Sequence, residues 1–195
     1  MHTNQKRCKY AFCGRRRKRF CTILEIVSEA GHIYYLKQKQ TLILFAEGRI
    51  QALTAYSLFE HVSDVVTQSD IREVFFDLSK TDYIDSTTIG TLLKLVRFMK
   101  RNGGKTWLCN PSDAVVEILK TCHLYGYLPI IHEERMGELK SKVLDKVPVQ
   151  RKDLLTDDYV LEAHKDIVEA APQVRDQFEI LLSALEQKVH GKNQQ

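Results

Sequence analysis

A chain of 195 residues, 44% hydrophobic and 28% charged, has the length for one full domain plus an appendage and enough apolar material for a core. Its longest apolar run in a strand-like segment is Leu42–Ala46, far short of the roughly 20 residues that cross a bilayer, so a transport role would need a separate membrane subunit. The net charge of +4 hides a division: residues 1–24 hold eight Lys or Arg and no acid, while the rest of the chain holds 21 basic and 25 acidic residues.

Residues 1–30 read as a basic, disordered tail. Arg15–Arg19, with Lys6, Arg7 and Lys9 upstream, could touch the phosphates of nucleic acid or anionic lipid, and Tyr10, Phe12 and Phe20 are interleaved for stacking. The plainer reading is a solvated tail, so neither contact is expected. Glu25 interrupts the apolar stretch that a signal peptide needs, which places the chain in the cytoplasm.

Residues 31–135 alternate strand and helix signals. Ile33–Leu36 favours a strand, and Leu42–Ala46 is a continuous apolar strand that Gly48 ends. Leu53, Tyr56, Phe59, Val62 and Val66 fall three and four apart on one helical face. Val74–Phe76 is a second buried strand, closed by Asp77-Leu78-Ser79. A helix over Ser86–Lys100 carries Ile89, Leu92, Leu93, Val96 and Met99 until Asn102-Gly103-Gly104 stops it. Thr106–Cys109 is a strand, Pro111-Ser112-Asp113 starts a helix, and Leu128–Ile131 is a last short strand. This order predicts an α/β fold, a mixed sheet of about five strands flanked by alternating helices.

Residues 136–195 look helical throughout and form a C-terminal extension. Thr156-Asp157-Asp158 caps a helix with Val160, Leu161, His164, Ile167, Val168 and Ala171 on one side. Pro172 opens another with Val174, Phe178, Leu181, Leu182, Leu185 and Val189. Their stripes must be buried on the domain, on each other or in a homo-oligomer.

Chemistry-bearing patterns are sparse. Cysteines at 8, 13, 21, 109 and 122 form no Cys-x-x-Cys pair, which implies free thiols and no metal site. Cys122-His123 and Glu60-His61 have no third partner at a recognisable spacing, and Gly103-Gly104 is not a phosphate cradle. No enzyme and no cofactor are expected. The informative stretch is Asp85-Ser86-Thr87-Thr88. Asp85 is placed to cap a helix whose first turn holds three hydroxyls beside orphan N–H groups and the positive end of the helix dipole. These residues fit either a plain structural cap or a phosphorylation switch, in which charge added to a bare hydroxyl spoils a docking patch without unfolding the helix.

The run Asp85-Ser86-Thr87-Thr88-Ile89-Gly90-Thr91-Leu92 resembles the Asp-Ser-Ser-Gly-x-Gly-x-Leu signature of STAS domains, the anti-sigma factor antagonist family of bacteria. Leu44–Ile50, Val74–Ser79, Gly103–Pro111 and Ile118–Leu124 resemble further elements of the family in the right order, over about residues 31–135. The resemblance implies a STAS domain that binds an anti-sigma factor with serine-kinase activity, of the histidine-kinase-like ATPase type. It implies phosphorylation at Ser86, with Thr87 and Thr88 as fallback sites, and a docking surface of Asp85, Ser86, Thr87, Thr88, Thr91 and Gln51. Two positions depart from the pattern near that surface: Thr88 replaces the signature glycine, and Gln51 replaces the acidic residue after the Gly-x-Leu turn. Other roles open to such a domain are a structural subunit of an ABC-type transporter or signalling scaffold, and nucleic-acid binding through the tail.

Overall fold

The structure, a computed structural model, describes residues 31–140 and 144–192. Strands β1 (His32–Gln38) and β2 (Thr41–Ile50) form an antiparallel hairpin. Helix α1 (Ala52–Gln68) leads to β3 (Glu73–Ile84), α2 (Ser86–Arg101), β4 (Lys105–Cys109), α3 (Asp113–Thr121) and the short β5 (Ile130–Ile131). Each of β2–β3, β3–β4 and β4–β5 is a parallel pair joined through a helix, the connection that parallel neighbours require. Then come α4 (Met136–Lys140), β6 (Asp145–Lys146), α5 (Asp157–Ala170) and α6 (Arg175–Lys192). The sheet order is β5-β4-β3-β2-β1-β6, a mixed α/β sheet of the expected class.

It has six strands rather than about five, and the region after residue 136 is not helical throughout. Asp145 and Lys146 pair with Tyr35 and Tyr34 on the outer edge of β1, and Val147 N–H donates to the Ile33 carbonyl at 2.8 Å. That edge presents unpaired backbone groups, and a short strand satisfies part of them. Two strands also outrun their predicted ends. Gly48 adopts φ +74° beside a register shift between β2 and β3, so β2 bends and continues to Ile50. β3 likewise passes through Asp77-Leu78-Ser79 and ends at Ile84.

The pleat sorts the apolar run of β2. Leu42, Leu44 and Ala46 join Val74, Phe76 and Leu108 in the main core, under Leu58 and Val62 of α1, Ile89, Leu92 and Leu95 of α2, and Val115 and Leu119 of α3. Ile43 and Phe45 face the other way, with Cys109 and with Met136 of α4. Continuous apolarity in β2 therefore reports burial on both faces. Helix α5 packs on the outside of α2, with Tyr159 against Tyr56 and Phe59 of α1, and its Ile167, with Ala171 and Val174 beyond the helix, reaches the main core.

No helix among the described residues is long and apolar enough to cross a membrane. The basic tail and Cys8, Cys13 and Cys21 lie outside the described residues. Cys109 and Cys122 are free. Burial pushes both thiols up, Cys109 to about 12, which disfavours their thiolate forms.

Candidate functional site

The end of β3 delivers Asp85 in extended conformation to the start of α2. Its Oδ1 accepts from the Thr88 N–H at 2.8 Å and from the Thr88 hydroxyl at 2.7 Å. Its Oδ2 accepts from the Ala52 N–H of α1 at 2.8 Å. One carboxylate thus caps two helices and holds their N-termini together. Gln51, the residue before α1, makes no side-chain cap of its own and is exposed beside Asp85. A donor at the first residue of α1 would otherwise be an orphan.

The hydroxyls around this cap are not equivalent. Thr87 is 5% exposed, Thr88 1% and Thr91 0%. Thr88 points inward: its one hydroxyl proton goes to Asp85, with the Ile50 carbonyl 3.1 Å away, so the residue that replaces the signature glycine adds nothing to the outer surface. Thr91 donates to the Thr87 carbonyl at 2.8 Å. Ser86 alone of the four is half-buried.

Ser86 also meets the C-terminal extension. Its Oγ lies 2.8 Å from His164 Nε2 on α5, and His164 Nδ1 lies 2.7 Å from the Val160 carbonyl. A carbonyl only accepts, so Nδ1 carries a proton; in the neutral ring Nε2 then accepts and Ser86 donates. His164 is 2% exposed, with the ring of Phe178 from α6 at 5.4 Å. Tyr159 Oη lies 2.9 Å from Thr91 Oγ1, and burial pushes its phenol well above the usual tyrosine range. Since the Thr91 proton is committed to Thr87, Tyr159 donates.

The helices touch at Gly90. A Cβ there would lie 2.2 Å from the Ala163 carbonyl oxygen, so only glycine admits α5 at this distance. Beyond the crossing, Lys94 pairs with Glu162 at 3.0 Å and Arg97 with Asp166 and with Glu169, the last at 3.3 Å. Lys94 Nζ also sits 4.8 Å over the Phe59 ring and 4.6 Å over that of Tyr159. Burial raises the Asp166 carboxyl, and Arg97 opposes that shift.

The sequence-predicted residues Gln51, Asp85, Ser86, Thr87, Thr88 and Thr91 therefore gather at one end of α1 and α2, but Asp85, Thr87, Thr88 and Thr91 are chiefly framework. Sequence reasoning missed that Tyr159, Ala163 and His164 complete the site. A histidine inside the otherwise apolar stripe of α5 was the signal available.

The STAS domain family model matches residues 33–136. Solved structures of similar fold include SpoIIAA, an anti-sigma factor antagonist, in its unphosphorylated form (16% identity over 57% of this chain and 98% of that one, TM-score 0.48). The Bacillus cell fate determinant SpoIIAA in its phosphorylated form gives 15% identity over 56% of this chain and 96% of that one, TM-score 0.46. TM1081 of Thermotoga maritima gives 18% identity over 69% of this chain and 98% of that one, TM-score 0.44. The family match covers more than half of the 195 residues, and the chain belongs to the STAS domain family.

Proposed function

We propose that this chain is a non-enzymatic partner-switching regulator of the anti-sigma factor antagonist kind, working in the cytoplasm. Its partner is a serine-kinase anti-sigma factor of the histidine-kinase-like ATPase type. The docking end is the start of α2, and Ser86 is the phosphoacceptor.

The unequal burial of the hydroxyls around Asp85 carries this reading. Esterifying Thr88 would remove its bond to Asp85 and force a phosphate into a site 1% exposed. Thr87 is similarly enclosed at 5%. Ser86 is half-buried and takes no part in the Asp85 cap, so its modification breaks the bond to His164 of α5 but leaves both helix starts intact. A phosphate adds about −1.5 to −2 charge beside orphan N–H groups, where the helix dipole tolerates it. The fold survives, and a surface matched to a bare hydroxyl is lost.

The test is phosphorylation of the full chain by a purified serine-kinase anti-sigma factor with ATP, with the site mapped by mass spectrometry. A single phosphate at Ser86, absent from Ser86→Ala, is expected. Phosphate on Thr87 or Thr88, or no incorporation, overturns the assignment.

A further inference from the structure

Helix α5 covers the face of α2 on which Ser86 sits. Ser86, Gly90, Lys94 and Arg97 follow one another at spacings of four, four and three, which lines them up as one stripe. Facing them are His164, the backbone of Ala163, Glu162, and the pair Asp166 and Glu169. Two cations meet three carboxylates. α5 carries five acids and one lysine between Asp157 and Ala170. Its contacts with α2 include these partly exposed ion pairs, two side-chain hydrogen bonds and a glycine crossing, while the helix also buries Tyr159, Leu161, Ala163, Ile167 and Val168. Such directional, charge-matched contacts characterise interfaces between proteins that exchange partners, and they discriminate among occupants more than they glue.

We propose that the α1–α2 face is a receptor for an acidic amphipathic helix of a protein partner, and that α5 fills it in cis as a built-in competitor. This rests on reading the start of α2 as the docking end. The partner's helix needs a small residue over Gly90, carboxylates opposite Lys94 and Arg97, and a hydrogen-bond acceptor at Ser86. Residues 147–156 tether α5 beside its own face, so its effective concentration there is high, and a partner prevails only by binding the face more tightly. A phosphate on Ser86 has the same sign as the acidic helix and disfavours it. The extension therefore sets a threshold for engagement.

The test uses the full chain in three forms: wild type, Glu162→Lys/Asp166→Lys/Glu169→Lys, and Ala163→Leu. The two variants alter α5 and leave the receptor face unchanged. The probe is a fluorescent peptide of residues 156–174 with the native sequence. Each variant should bind it at least about tenfold more tightly than wild type, because the internal competitor is gone. Amides of α5 should exchange faster in both variants while those of β2 and β3 do not. Ala163→Leu should reject the same peptide with Lys at the three carboxylate positions. The inference is overturned if the variants bind no better than wild type, if α5 stays as protected, or if the acidic and Lys peptides bind equally. Loss of cooperative folding in both variants would make α5 core and overturn it too. Wild-type dimers that exchange helices, seen by light scattering, would assign the face to a second copy and contradict the partner reading. The peptide assay needs no kinase, so failure of the kinase experiment to phosphorylate Ser86, with peptide binding as expected, refutes only the modification.

Discussion

The two sides of α2 are built differently. Inward, Ile89, Leu92, Leu95 and Met99 are at most 1% exposed and belong to the main core. Outward, Ser86, Gly90, Lys94 and Arg97 meet α5 through hydrogen bonds, ion pairs and close backbone contact. Apolar packing is non-directional and accepts whatever fills the volume. Paired charges and a glycine crossing accept only a complementary helix. One helix thus divides its labour: the inner side makes the domain, and the outer side chooses what covers it.

Substitutions sharpen that contrast. Leu92→Ala should cost about 2–5 kcal/mol, because it empties fully buried volume. Chemical denaturation measures it, and a loss below about 1 kcal/mol would break the distinction between the two sides. Asp85→Ala removes the acceptor shared by α1 and α2 and should cost about 1–2 kcal/mol, with faster amide exchange at Ala52 and Thr88. An unchanged midpoint would mean that water replaces the cap.

Tyr159 gives the outer side an alkaline limit. Burial raises its phenol above the unfolded value, so its contribution is complete below the ordinary tyrosine pKa of about 10 and is lost as pH rises through the folded value. Stability should fall above that pH by up to about 1.4 kcal/mol per unit, and Tyr159→Phe should flatten the decline. Equal slopes would contradict the burial. The smallest effect belongs to Lys94→Met: its pair with the exposed Glu162 should be worth under about 1 kcal/mol and fade in high salt.

The order of elements was legible because apolar period and helix stops are local. Val74–Phe76, Thr106–Cys109 and the stripe Ile89, Leu92, Val96 and Met99 all lie in elements of the predicted kind. β6 was not legible, since Asp145-Lys146 has no strand pattern and pairs only because β1 leaves an edge. Gly48 and Asp77 looked like strand ends, but a register shift lets β2 and β3 run on together. At the site, Asp85 was readable as a cap for α2 but not for α1, because the bond to Ala52 spans 33 residues. Thr88 looked like added bulk on a docking surface and instead points inward, its hydroxyl on Asp85 beside the Ile50 carbonyl. His164 was visible as a polar member of an apolar stripe, but only the packing of α5 on α2 joins it to Ser86.

The most direct measurement is the affinity of a serine-kinase anti-sigma factor for wild type, Ser86→Ala and Ser86→Asp. Alanine should keep capture, since the bond it loses to the partner is offset by loss of the competing His164 contact of α5, and aspartate should weaken capture by about tenfold or more. Equal capture of all three would contradict Ser86 as the switch.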